Sequence, residues 1–301
     1  MIYFMRIGIG EVWRRIFKYR QRIIVTFLVS FVITLVLKQI ILVVFIDKIP
    51  IFGFHDIIDI QPSQARHSQD KNLIASYPKQ DLAEFLEYLV RQDYWFLSTQ
   101  ELYDYFLANP PQPIPPQHKK QKKVMITFDD GYESVYTQLL PILENLEDKY
   151  GKKAKVVLFV NAGFMGDRGS HLYHATCKEL NQGLRKGFYD IQSHGLHHNN
   201  LTQLGDENLE KELYEDQKRL RKCTDGLDKT RSVASHIAYP FGATDKRVEK
   251  YIAKYYTSGY LYNSRTLKIG WNRNKYRIPR LTVNMKKSVK NLIKLASGRW
   301  W

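Results

Sequence analysis

Two pairs of side chains in this sequence could carry acid–base or metal chemistry. The first is Asp129-Asp130, which ends the apolar run Val124-Met125-Ile126-Thr127-Phe128 and is followed at once by Gly131. Neighbouring carboxylates at the end of a buried strand repel each other unless a cation, a proton or hydrogen bonds compensate them. The second pair is His194 and His198, set four residues apart in His194-Gly195-Leu196-His197-His198. Two imidazoles and a carboxylate form an ordinary zinc ligand set that leaves positions open for water and substrate. Each pair also has a plain alternative: a turn and helix N-cap for Asp129 and Asp130, and a histidine-rich loop without metal for the other. Taken together, each pair accounts for polar groups that the other would leave unpaired. His55, with Asp56 at the end of the short strand expected over Ile49-Pro50-Ile51-Phe52-Gly53-Phe54-His55-Asp56, could join them or simply bond to backbone.

Such residues meet only if a fold gathers them. The run 124–128 has the length and the lysine-rich flank of an interior strand. Residues 79–90 carry Leu82, Phe85, Leu86 and Leu89 at helical spacing, and further strands are expected at 94–97, 154–160, 190–194 and 237–239. Helices are expected at 99–107, 133–150, around Leu209, Leu213 and Leu220, and at 245–256. The proline- and lysine-rich segment 109–123 reads as an exposed loop. Strand and helix in alternation point to a parallel α/β architecture, most simply a barrel, whose strand C-termini gather the active site. His55, Asp129, Asp130, His194 and the turn Tyr239-Pro240-Phe241-Gly242 all stand at such ends.

The chain of 301 residues divides into a basic segment 1–22, an apolar segment 23–46 broken only by Lys38 and Gln39, and one catalytic-sized domain over 49–298. The apolar segment is long enough to span a bilayer, and the positive flank before it places the N-terminus in the cytoplasm and the domain outside. No small-x-small cleavage site follows Ile46, which favours an uncleaved anchor over a signal peptide. A net charge of +16 suggests an anionic neighbour such as a phospholipid surface or an acidic envelope polymer. No zinc-finger spacing or aromatic RNA-binding signature is present, so nucleic acid is not an expected partner. Cys177 and Cys223 are too few for a disulfide framework, although they could form one bridge in an exported domain.

Thr127-Phe128-Asp129-Asp130-Gly131 resembles the first motif of the NodB-type polysaccharide deacetylases, carbohydrate esterase family 4. His194 and His198, with Leu201-Thr202, resemble the second motif, and Tyr239-Pro240-Phe241-Gly242 the third. Phe54-His55-Asp56 and the long loop before the Asp-Asp motif look most like the biofilm poly-β-1,6-N-acetylglucosamine de-N-acetylases. The resemblance implies a distorted (β/α) barrel of the NodB type behind one N-terminal transmembrane helix. It implies a divalent metal, with zinc expected, on Asp130, His194 and His198, and Asp129 as general base. The Phe241 N–H would support an oxyanion, with Gly242 beside it and Tyr239 as core or groove wall rather than a proton donor.

Three departures stand out: no histidine follows His236, no aspartate follows Asp245, and Ala238 stands where the third motif usually has arginine. Resemblance to the biofilm branch then implies His55 as the candidate acid, and Arg277 or Arg280 could contribute or orient Asp129. His67, His118, His171, His174 and His236 have no partner motif and read as ordinary histidines. The expected activity is removal of N-acetyl groups from an N-acetylhexosamine polysaccharide outside the cytoplasmic membrane. The expected partners are that polymer, the membrane, and a polysaccharide synthase or export protein. The alternatives are an O-acetyl esterase, a peptidoglycan or chitin-type deacetylase, and a catalytically silent glycan binder.

Overall fold

Val156–Val160 contains no polar side chain and is buried throughout, as is Lys123–Phe128 after its first residue. Strands covered on both faces read this way in parallel sheets. A computed structural model describes residues 9–45, 48–67, 70, 73–169, 172–270 and 274–298. The first eight residues of the basic segment, Ile46, His171 and Trp271 lie outside the described residues.

Eight parallel strands form the main sheet: β1 (Ile51–Phe54), β2 (Trp95–Phe96), β3 (Lys123–Phe128), β4 (Val156–Val160), β5 (Tyr189–Ser193), β6 (His236–Ala238), β7 (Ser258–Tyr260) and β8 (Leu281–Thr282). Their order is β7-β6-β5-β4-β3-β1-β8, with β2 paired to the start of β3. The sheet curls until the stretch leading into β8 reaches both of its ends. Ile278 bridges to Tyr260 of β7, while Leu281 and Thr282 pair with Phe52 and Gly53 of β1. Pro279, which has no N–H to donate, marks the change of partner. The distorted barrel expected from the sequence is therefore present, and Arg280 sits in the segment that joins its two edges.

Helices cover the outside. α2 (Lys79–Arg91) buries Leu82, Phe85, Leu86 and Leu89, the stripe expected from spacing. α3 (Leu140–Tyr150) follows a π-helical turn at Val135–Leu139, so the expected helix 133–150 is two pieces. The helix expected at 99–107 likewise changes to a π-helical turn at Tyr103. α4 (Cys177–Arg185) begins in a capping box of Thr176 and Glu179, and α5 (Asp206–Cys223) buries Leu209, Leu213 and Leu220. Cys177 and Cys223 form a disulfide, with Cα atoms 5.6 Å apart, that ties α4 to the end of α5. α6 (Lys246–Tyr255) is capped by Asp245, whose carboxylate accepts the Val248 N–H at 2.8 Å. That aspartate is structural.

Residues 1–47 and 48–301 are separate compact units. Within the first, α1 (Ile9–Phe45) includes a 22-residue span, Ile16–Leu37, long and apolar enough to cross a membrane. It overlaps the segment 23–46 expected from the sequence.

Candidate active site

Strand register sets the site. Phe54 of β1 lies opposite Phe128 of β3, and the Asp129 N–H donates to the Phe54 carbonyl at 2.9 Å. His55 and Asp129 therefore leave neighbouring strands side by side. Val160 of β4 lies opposite Ser193 of β5, which brings Asn161 and His194 to the same level. Asn161 Nδ2 then donates to the carbonyls of His194 and Gly195 at 2.6 and 3.0 Å, pinning the start of the histidine loop.

The donor atoms of Asp130, His194 and His198 lie within 4.8 Å of one another. Asp130 Oδ1 is 3.5 Å from His194 Nε2 and 3.4 Å from His198 Nε2. His194 Nδ1 lies 2.8 Å from the Ala238 carbonyl, which can only accept, so Nδ1 carries the proton and Nε2 turns a lone pair towards Asp130. Burial pushes His194 down from its ordinary pKa, which keeps the ring neutral. A lone pair thus faces a carboxylate oxygen, and that oxygen is buried without a hydrogen-bond partner. A divalent cation among these atoms removes the mismatch, so the residues fit a metal. Asp130 and His198 hold positive φ angles of 69° and 53°, strain of the kind that gathers at functional sites.

Asp129 is arranged differently. Its two oxygens accept Arg280 Nη1 at 2.6 Å and Nη2 at 2.8 Å, a bidentate pair in which both residues are buried. Arg280 also donates to Thr127 Oγ1 at 2.9 Å and, through Nε, to the Leu261 carbonyl at 2.9 Å. Burial alone would raise the Asp129 carboxyl, but the Arg280 guanidinium, helped by the fields of His194 and His55, holds it well below the usual range. Asp129 is therefore ionised and fixed in direction, off the cluster that Asp130 joins. The nearby His55 ring packs edge-on to Tyr262 at 5.1 Å, and its Nδ1 is buried without a partner.

The sequence profile of the polysaccharide deacetylase family matches residues 117–258, a range that holds all three motifs. The chain carries a polysaccharide deacetylase domain. A poly-β-1,6-N-acetyl-D-glucosamine N-deacetylase of Staphylococcus aureus is 24% identical to it over 257 residues, 75% of this chain and 83% of the relative. A Bacillus subtilis protein named for the same family is 26% identical over 203 residues, 67% of this chain, and the match spans 60% of that relative's length. Among solved structures, a Streptococcus pyogenes deacetylase in complex with acetate superposes with a TM-score of 0.65 at 23% identity, covering 82% of this chain and 97% of that one. The deacetylase fold is shared.

Within the deacetylase domain the structure brings Asp129, Asp130, His55, His194, His198 and Arg280 to one end of the barrel. Of the two candidate arginines, Arg277 instead pairs with Glu249 at 2.5 Å, out in solvent. Phe241 has a positive φ of 59°, is 66% exposed, and sets its ring against His198 at 4.6 Å. Gly242, also at positive φ, lies against Tyr262, whose backbone N would be 2.9 Å from an added Cβ. Of the two places expected for Tyr239, core or groove wall, the structure gives core: it is fully buried and donates its hydroxyl to the Tyr276 carbonyl, so it does not contact substrate. His174, expected as an ordinary surface or core histidine, is buried and borders the cleft beside Asp130, together with Tyr132, Asn161, Phe164, Leu172 and His198. Asn161, not singled out from the sequence, directly follows the strand expected at 154–160, a signal that could have found it, whereas nothing local marks His174.

Proposed function

We propose that the protein is a membrane-anchored, metal-dependent hydrolase that removes N-acetyl groups from an N-acetylhexosamine polysaccharide outside the cytoplasmic membrane, leaving free amines. The observation that carries this reading is the pairing of a three-donor cluster with a separate ionised carboxylate clamped beside it. A glycan binder has no use for that pairing. The nature of the Staphylococcus aureus relative favours a β-1,6-linked N-acetylglucosamine polymer. The apolar helix supports an anchor, and the Cys177–Cys223 bridge suits an oxidising exterior.

Asp130, His194 and His198 would hold the metal, with zinc favoured by the donor set. When bound, such an ion supplies Lewis acidity towards water and the amide carbonyl. Asp129, aimed by Arg280, takes the proton of the attacking water through lone pairs that the guanidinium leaves free. The Phe241 N–H, set by its strained turn, donates to the oxyanion that develops on the carbonyl. An amine leaves well only when protonated, and His55 is the group placed to supply that proton. A polysaccharide synthase or export protein at the membrane fits as a partner for an anchored enzyme of this kind.

The test is stoichiometric. Full-length protein in detergent, given N-acetylated β-1,6 oligomers, is expected to release acetate and new primary amine in equal amounts. Acetate without amine from an O-acetylated glycan would indicate an esterase instead.

A further inference from the structure

The cleft of about 320 Å³ beside the metal cluster contains two polar side chains that the protein itself leaves unanswered. Asn161 is 1% exposed and His174 8%, and both line this cleft. Asn161 uses Nδ2 on the histidine loop, but among the described residues its Oδ1 has no hydrogen-bond partner, and neither has His174 Nδ1. Buried polar atoms are nearly always paired, so two orphans in one wall call for an external partner. The imidazole is held in place, because the Ala175 N–H donates to the Gly131 carbonyl and the Glu133 N–H to the Tyr173 carbonyl, fastening residues 173–175 to the turn behind Asp130. The wall also includes Asp130 and His198 of the donor cluster, and what remains is aromatic and apolar: the Tyr132 and Phe164 rings lie 5.0 and 5.3 Å from the His174 ring.

We propose that this cleft is a sugar subsite, which takes the hexosamine ring next to the one that reacts and reads its hydroxyls through Asn161 and His174. Asn161 Oδ1 accepts from a hydroxyl, while His174 donates or accepts according to tautomer. Flat rings flanking a few polar atoms are the composition expected of a sugar site. The volume is far larger than an acetyl group needs. Asp130 and His198 are in the wall while Asp129, His55 and Arg280 are not, so the cleft adjoins the donor cluster but not the proton-handling groups, and it takes the part of the polymer that is held beside the one that is cut. The inference rests on the deacetylase reading and names how that enzyme would grip its chain.

The test compares N-acetylglucosamine with its β-1,6-linked dimer and trimer. Binding to full-length, metal-free protein is measured by calorimetry, and acetate release is measured separately with zinc. Affinity is expected to rise from monomer to trimer. His174→Phe, which keeps a ring but loses the nitrogens, and Phe164→Ala, which removes one wall, are each expected to lower trimer affinity about tenfold. Each should also flatten the dependence on length. Trimer affinity and length dependence unchanged in both variants, with acetate release intact in the unsubstituted protein, would overturn the subsite and leave the deacetylase reading standing. No binding and no acetate release from any oligomer would overturn both.

Discussion

The two ends of the barrel both bury polar side chains, and they treat them in opposite ways. At the floor, Gln192 Nε2 donates to Asp190 and to the Ser232 carbonyl, while its Oε1 accepts the N–H groups of Ser235 and His236. Asp190 also accepts from the Thr99 N–H and hydroxyl, and His236 bonds Ser258 at 2.7 Å and Gln100 at 3.2 Å. At the mouth, Asp130 Oδ1, His55 Nδ1, Asn161 Oδ1 and His174 Nδ1 have no partner. This floor network is saturated by the fold, whereas the four groups at the mouth leave a polar atom open beside the proposed site. Arg280 and Asp129 belong to both kinds: they are paired with each other, and they face the chemistry.

The contrast can be broken most forcefully at the mouth. Asp130→Ala and Asp129→Asn are each expected to lower kcat/KM by about 10⁴-fold. The first should also abolish zinc binding in calorimetry, and the second should keep it, because Asp129 sits off the donor cluster. His55→Ala is expected to lower kcat on N-acetyl substrates about 10²- to 10³-fold. It should spare an aryl acetate ester, whose leaving group needs no proton, so equal losses on both would remove His55 from the acid role.

Arg280→Met tests the residue that spans both behaviours. It strands a buried carboxylate, and urea titration is expected to show about 3–5 kcal/mol of lost stability together with lost activity. At the floor, Gln192→Leu orphans several groups and is expected to cost about 3 kcal/mol, while kcat stays within about twofold because no floor group touches substrate. The last effect is a pH dependence. Burial, with a lesser push from Lys275, lowers the His236 pKa from 6.5 to about 3. The unfolded chain binds a proton that the folded one refuses, so stability falls as pH drops from 6.5 towards 3. His236→Gln is expected to make that decline shallower by about 1.4 kcal/mol per pH unit.

The same division explains what could be read from the sequence. His194 and His198 announce themselves because two imidazoles recur four residues apart at one strand end, and Asp129 and Asp130 because they follow an apolar run at another, which sets both the strand and the level at which it stops. The parallel barrel was legible for that reason. Arg280 was visible only as one of two arginines: nothing in Arg277-Ile278-Pro279-Arg280 says which one turns inward, because Pro279 and the switch of β-partner decide it. His174 was missed because a long loop brings it back against residues 131–133, a long-range pairing with no local periodicity. Tyr239 could be narrowed only to core or groove wall, since a motif position shows proximity to the site but not which way a side chain points.

The most direct test of the central claim is acetate release from N-acetylated oligomers before chelation, after chelation, and after zinc is returned. Activity lost with the metal and restored in proportion to zinc bound, at one ion per chain in the unsubstituted protein and none in Asp130→Ala, is the expected result. Release that survives complete removal of metal, or that persists in Asp130→Ala, would contradict it.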